Sequence, residues 1–386
     1  MSYLDKLLQG VEVEWKALGQ VLVRTKGTSI TAGQMKILHK DGAPLKIFAG
    51  GKTVAFVDYK DIPDKDINRE PSVIVKSRGI IEFEYYDKPF SHKNEMWSYH
   101  SKNENIDIKF VYHYLRINEP YFQNIGSRMQ MPQISTPDTD KFQIPIPSLS
   151  VQKEIVRILD SFTELTAELT AELTARKQQY NYYREKLLSF EEGDVEWKTL
   201  GEIVLKSYSG STPKAGDPKY YQNGTIPWLR TQEVKFTDIE DTEVKINELA
   251  LKETATKWIP ENCVIIAISG ATAGRSAINK IPLTTNQHCL CLKINSQVAL
   301  YRYVFHWVCF NYENIKSLGQ GARGDLNSSL IKNFKIPVPP LEVQERIVSI
   351  LDKFDTLTTS ISEGLPSEIE LRQKQYEYYR DLLLTF

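Results

Sequence analysis

Three stretches of this chain are written twice, each time about a domain's length apart. Glu14-Trp15-Lys16-Ala17-Leu18-Gly19 returns as Glu196-Trp197-Lys198-Thr199-Leu200-Gly201 after 182 residues. Ile144-Pro145-Ile146-Pro147, with Val151-Gln152-Lys153-Glu154-Ile155-Val156 behind it, returns after 192 as Ile336-Pro337-Val338-Pro339 with Val343-Gln344-Glu345-Arg346-Ile347-Val348. Gln179-Tyr180-Asn181-Tyr182-Tyr183-Arg184 is echoed by Gln375-Tyr376-Glu377-Tyr378-Tyr379-Arg380. Solenoid repeats recur every 20 to 50 residues or so, whereas a period near 190 is roughly a domain plus a long helix. Two like bodies on one chain suit a ligand that itself comes in two halves, and DNA is the obvious candidate.

The connections between the bodies read as helices. From Val151 to Phe190 apolar residues fall at Ile158, Phe162, Leu165, Leu169, Leu173, Tyr180, Tyr183, Leu187 and Phe190, in steps of three, four and seven, with no Gly or Pro between. That is a coiled-coil seam, and some forty residues at 1.5 Å each make a rod of about 60 Å. The second copy carries Gly364-Leu365-Pro366, which should kink or break it. Two such seams are expected to pack antiparallel as a central strut. Within the first, Thr166-Ala167-Glu168-Leu169 and Thr170-Ala171-Glu172-Leu173 form a tetrapeptide array. One copy changes rod length by about 6 Å while keeping Leu in the seam, as suits a ruler. Tyr3-Leu4-Asp5-Lys6-Leu7-Leu8 resembles Tyr183-Arg184-Glu185-Lys186-Leu187-Leu188, so the chain begins with a helix tail and ends with a full helix. The order is circular, and a pseudo-twofold axis is expected if the termini meet. Tyr180, Tyr183, Tyr376 and Tyr379 form either a partner-docking face or an intramolecular core.

Charge follows the repeat. Residues 14–150 hold 19 Lys+Arg against 16 Asp+Glu, and residues 196–342 hold 17 against 14. Residues 151–195 hold 6 against 9, and residues 343–386 hold 5 against 8. Mildly basic globular segments therefore alternate with acidic helices, which places any nucleic-acid contact on the former. Short β-branched runs, such as Val73-Ile74-Val75 and Val264-Ile265-Ile266, stand among Gly, Asn and Pro, and indicate a mixed α/β fold rich in loops. Candidate DNA contacts are Lys52, Lys76, Arg78, Lys93, Asn94 and Arg128 in the first segment. In the second they are Ser211, Thr212, Lys214, Arg230, Thr231, Arg275, Asn286, Gln287 and Arg323. Arg reads guanine and Asn or Gln reads adenine through paired hydrogen bonds, while Lys and Ser/Thr more often hold the backbone.

Chemistry of the chain's own is missing. Phe48-Ala49-Gly50-Gly51-Lys52-Thr53 ends like a phosphate-binding loop, but that pattern requires Gly where Lys46 stands. The six histidines show no metal-binding spacing, and four cysteines without a CxxC read as buried free thiols. No catalytic residue and no metal ligand is expected. No apolar run approaches the roughly 20 residues of a membrane span, and the first residues lack signal-peptide character, so a cytoplasmic location is expected.

The Glu-Trp-Lys-x-Leu-Gly pairs, the Ile-Pro-x-Pro segments, the Thr-Ala-Glu-Leu array and the Gln-Tyr-x-Tyr-Tyr-Arg ends together closely resemble the specificity subunit of type I restriction–modification enzymes. Ser209-Gly210-Ser211-Thr212-Pro213-Lys214 and Ile226-Pro227-Trp228-Leu229 add to the likeness. The resemblance implies a helix tail at 1–13, target recognition domains at 14–150 and 196–342, and spacer helices at 151–195 and 343–386. Each domain would read half of an asymmetric, bipartite site. The helices would set the gap and dock two methyltransferase subunits, to which restriction/translocase subunits join. S-adenosylmethionine, ATP and Mg would then be bound by those partners, and no cofactor by this chain.

Overall fold

Each tryptophan motif is a strand that pairs with its own proline motif. Strand β1 (Glu14–Ala17) runs antiparallel to β9 (Gln143–Ile146), with Trp15 opposite Pro145. Strand β10 (Glu196–Thr199) pairs the same way with β19 (Lys335–Val338), with Trp197 opposite Pro337. Proline has no N–H for a central ladder, and a two-stranded ribbon tolerates it. The ribbon ties the first strand of each globular segment to its last. The indole of Trp15 stands edge-on to Tyr114 and that of Trp197 edge-on to Trp307.

The computed structural model describes residues 7–126, 131–191, 193–319, 324–360 and 362–386. It has two units, one of Met1–Leu169 with Glu368–Phe386 and one of Thr170–Ser367. Five helices carry the frame: α1 (Ile108–Ile117), α2 (Leu149–Leu188), α3 (Tyr301–Phe310), α4 (Leu341–Thr359) and α5 (Leu365–Leu383). Both units mix helix with sheet, so the fold is α/β as expected.

The first unit holds a four-stranded sheet in the order β2 (Val23–Thr25), β8 (Trp97–His100), β5 (Ser72–Lys76), β6 (Glu82–Tyr86). Beside it lies a three-stranded sheet, β4 (Val54–Val57), β3 (Leu45–Phe48), β7 (Phe90–His92), in which β3 and β7 are parallel. In the second unit β11 (Val204–Tyr208), β18 (Cys289–Ile294), β15 (Val264–Ala267) and β16 (Ser276–Asn279) repeat the larger sheet, with β13 (Asp238–Ile239) added at its edge. The smaller sheet recurs as β14 (Lys245–Ile246), β12 (Ile226–Leu229) and β17 (Thr284–Thr285), again with its parallel pair. The internal sequences have diverged, yet strand order and direction are kept.

Helix α1 lies on β5 and β6, where Phe110, Val111 and Leu115 are fully buried. Helix α3 lies likewise on β15 and β16 through Tyr303, Val304 and Val308. Cys263, Cys289 and Cys291 are buried free thiols of the second unit, and burial pushes the Cys289 thiol up to about 12.

Helix α2 is one unbroken element of 40 residues. In its repeat array Leu165, Leu169 and Leu173 are half-buried while Glu164, Glu168 and Glu172 are exposed, as a coiled-coil seam requires. Thr163, Thr166 and Thr174 each turn the hydroxyl back to the carbonyl four residues earlier, which satisfies it within the helix. The second rod is broken between Thr359 and Leu365, and Pro366 sits in the first turn of α5, where its missing N–H costs nothing.

Each unit closes on a helix from elsewhere in the chain. Leu383, Leu384 and Phe386 join the core of the first unit, and Leu187, Leu188 and Phe190 that of the second. The candidate tyrosines follow them. Tyr379 stacks on Phe162 in the first unit, and Tyr180 and Tyr183 stack on Phe354 in the second. Tyr180, Tyr183, Tyr376 and Tyr379 are half-buried, and Tyr180, Tyr376 and Tyr379 pack against the cores of their own units. The exposed aromatics at these helix ends are their neighbours Tyr182 and Tyr378, 59% and 65% accessible.

Candidate nucleic-acid interface

Strand directions decide which loops meet. In the first unit β7 and β3 run parallel, so the segments following His92 and Phe48 emerge together, and the Lys93 N–H donates to the Phe48 carbonyl. Antiparallel pairing of β5 with β8 brings the end of β5 to the start of β8, where the Ser77 hydroxyl donates to the Glu95 carbonyl at 2.6 Å. Strand β2 ends there too, with Thr25 opposite Ser98. The turn bearing Asn94, the hairpin bearing Lys52, the hairpin bearing Arg78 and the segment after β2 thus share one sheet edge.

The second unit repeats the convergence. The Asn286 N–H donates to the Leu229 carbonyl, which places Arg230 beside the turn between β17 and β18. The Ile268 N–H donates to the His288 carbonyl and joins the β15–β16 hairpin, with Arg275, to the same turn. The segment after β11 arrives through the Ser209 hydroxyl, which donates to the Gln287 carbonyl at 3.2 Å.

One glycine in each unit permits this crowding. A Cβ on Gly27 would collide with the carbonyls of His92 and Lys93, and one on Gly210 with the carbonyl of Thr285. Backbone passes against backbone there, which no other residue allows. Gly27-Thr28-Ser29 and Gly210-Ser211-Thr212 stand 183 residues apart, one more than the tryptophan motifs. That correspondence was readable in the sequence and brings Ser29 and the exposed Lys26 to the edge, two residues that motif reasoning missed.

The candidates differ in availability. Lys52, Arg78 and Asn94 are exposed and make no ion pair among the described residues. Lys214 is 81% accessible with only a 3.7 Å contact to Asp217. Arg275 is half-buried and has no carboxylate partner among the described residues. Others are already engaged. Lys93 pairs with Glu95 at 2.7 Å, and Arg230 is held by Glu243 at 2.6 Å and by Glu233 at 3.3 Å. Thr231 lies in the 3-10 turn that follows Arg230, and the Ser211 hydroxyl bonds to Thr256. Asn286 is 8% accessible and caps the His288 N–H.

Lys76 is the clear departure. It is 9% accessible and bound by both Glu82 and Glu84, at 2.7 and 2.8 Å. Burial works against its ammonium, but the two carboxylates outweigh burial and raise its pKa. Lys76 is the last residue of β5 and is buried against two carboxylates of β6, whereas Arg78 lies beyond the end of the strand and is exposed. Arg128 and Arg323 lie outside the described residues.

Beneath each edge the scaffold is pinned by a matched pair of polar anchors. Gln152 is fully buried: its Oε1 accepts from the Asp107 N–H and its Nε2 donates to the Asn105 and Pro147 carbonyls. Gln344 accepts from the Leu300 N–H and donates to the Val298 and Pro339 carbonyls. Asp160 binds His113 and Lys109 of α1, and Asp352 binds His306 and Arg302 of α3. Burial would raise the Asp352 carboxyl, but hydrogen bonds from His306 and Arg302 hold it below its ordinary value, and Asp160 behaves alike with His113 and Lys109.

His306, Asp352 and Asp355 are the one group among the described residues whose ligand-type atoms fall within 4.8 Å of one another. The guanidinium of Arg302 lies 2.5 Å from Asp352, and His306 already donates to the same carboxylate. This is an ion-pair anchor, with a cation of its own in place. No helix among the described residues is long and apolar enough to cross a membrane.

The type I restriction modification DNA specificity domain matches residues 21–176 and again 192–371. The EcoR124I/EcoR124II specificity subunit of Escherichia coli is 41% identical over all of this chain and 97% of its own length. A type I restriction enzyme specificity subunit of Haemophilus influenzae is 32% identical over all of this chain and 98% of its own. In fold, the chain is similar to the crystal structure of a type I restriction–modification S subunit from M. genitalium. That likeness has a TM-score of 0.67, 17% identity and complete coverage of both chains. A chain from a structure on complex assembly in the type I R-M system has a TM-score of 0.54 and 13% identity, with 97% and 99% covered. The paired strand order, the repeated motifs and these relatives agree: the chain belongs to the type I restriction–modification DNA specificity family, and its two sheet-bearing segments are DNA-recognition domains.

Proposed function

We propose that each recognition domain reads one half of a bipartite, asymmetric DNA site, and that helices α2, α4 and α5 fix the gap between the halves. The observation that carries this reading is the pair of sheet edges, built on one strand order and carrying different side chains. A shared edge supplies the same approach to a duplex, and different residues supply different sequences. Lys52, Arg78, Asn94, Lys214, Arg275 and Gln287 are the contacts we assign. Lys76 is left to hold the sheet.

The same helices dock two methyltransferase subunits that use S-adenosylmethionine to methylate adenine N6, and restriction/translocase subunits driven by ATP and Mg assemble on them in the cytoplasm. The chain itself is non-catalytic. The six histidines without metal-binding spacing and the loop in which Lys46 replaces the required Gly are in keeping with a subunit that leaves catalysis to its partners. Co-purification tests it: a complex with two methyltransferase chains is expected, and a chain that binds DNA while capturing none would favour a stand-alone DNA-binding protein.

Deleting Thr170–Leu173 removes about 6 Å of helix, against 3.4 Å per base-pair step, so the preferred gap should shrink by one or two base pairs. Both half-site sequences should persist. An unchanged gap would remove the ruler from the account.

A further inference from the structure

We propose that Gln287 is a braced reader of one adenine, held in position by Thr212 and His288. The assignment rests on the DNA reading above and deepens it. Gln287 is exposed at the tip of the β17–β18 turn, where a free glutamine would sample many rotamers and lose that freedom on binding. Here the freedom is already removed. The Thr212 hydroxyl donates to Gln287 Oε1 at 2.7 Å, and Gln287 Nε2 lies 3.1 Å from His288 Nε2. The main chain is fixed as well, since Ser209 donates to the Gln287 carbonyl and the Asn286 side chain accepts from the His288 N–H.

Hydrogen-bond capacity then limits what the amide can recognise. A carboxamide has two N–H donors and two acceptor lone pairs. Thr212 and His288 take one of each, and the same holds if the amide is turned end for end. One donor and one acceptor are left on an exposed group. That pair matches N7 and N6 of adenine in the major groove. Guanine offers two acceptors there and leaves the lone pair unmatched. A pre-positioned amide converts more of its pairing into discrimination than a mobile one. Thr212 and His288 are positioning residues.

The first unit lacks this brace. Asn94 stands on the corresponding turn, between β7 and β8, exposed and without a side-chain partner among the described residues. The two edges thus differ in stiffness as well as in sequence.

The test uses the full chain with its partner subunits, offered a pool of randomised duplexes from which the wild type selects its two half-sites. Gln287→Ala should lower the preference for one A·T pair by about 5- to 150-fold and leave every other position unchanged. Thr212→Val should weaken the same position by less. Gln287→Glu, an acceptor only, should move the choice there toward cytosine. Continued selection of the other half-site shows that the variants are folded. An unaltered preference in Gln287→Ala, or a loss spread evenly over all positions, overturns the assignment while leaving the DNA reading intact. A wild-type complex that selects no sequence overturns both.

Discussion

The two units agree at the bottom of each recognition domain and disagree at its top. Below, Gln152 and Gln344 make the same three bonds, and His113–Asp160–Lys109 is answered by His306–Asp352–Arg302. Above, a bare Asn94 faces a braced Gln287, and free Lys52 is answered by tethered Arg230. Where the chain must hold its own helix, the two copies solve one problem and keep one chemistry. At the edges we propose for DNA the side chains differ, and only the backbone route is kept.

The largest effect should come from the anchors. Gln152→Ala or Gln344→Ala strands a buried N–H and two carbonyls and should cost about 3 kcal/mol or more. Hydrogen exchange should rise near 105–115 in the first variant and near 298–308 in the second. Equal exposure of both regions by either change would mean that the anchors are not local.

Next come the acids. Asp160→Asn and Asp352→Asn should each cost about 1–3 kcal/mol, with Asp352 toward the lower figure because its side chain is 35% accessible. Both carboxyls lie below their ordinary value, so their stabilisation is complete above the unfolded pKa of about 4 and fades as pH falls through the folded one. Asp355 carries the opposite sign. Burial raises its carboxyl, so its charge is a cost at neutral pH that acid relieves. Thr163 stands at the matching place in the first unit, which should therefore lose stability in acid more steeply than the second. Unfolding followed between pH 3 and 7 for wild type and Asp355→Asn would check this. In that variant the second unit should gain stability at neutral pH and acquire the steeper slope of the first.

The smallest effect belongs to the proposed phosphate contacts. Lys214→Ala should weaken DNA binding evenly across sequences and lower the salt slope by about one. A change of preferred bases would instead make Lys214 a reader.

Much of the frame was legible because it is periodic or repeated. The seam of α2 follows from Leu165, Leu169 and Leu173, and the break in the second rod from Gly364 and Pro366. The pairing of β1 with β9 was not, because nothing in Trp15 or Pro145 alone names its partner across more than a hundred residues. Gln152 stands inside the repeated Val-Gln segment at 151–156, but its burial depends on Asn105 and Asp107 arriving beside it. At the edge, residue type separated cations from acids and could not tell inward Lys76 from outward Arg78. That difference depends on where β5 ends and on Glu82 and Glu84 arriving beside Lys76.

One exchange tests the claim that these are two independent readers on a common frame. Residues 20–140 are replaced by the same segment of another family member, and methylated positions are mapped across the genome of a host expressing the partner subunits. One half-site should change, while the other half-site and the gap remain as they were. If both halves change together, or neither does, the domains do not read separately and the account fails.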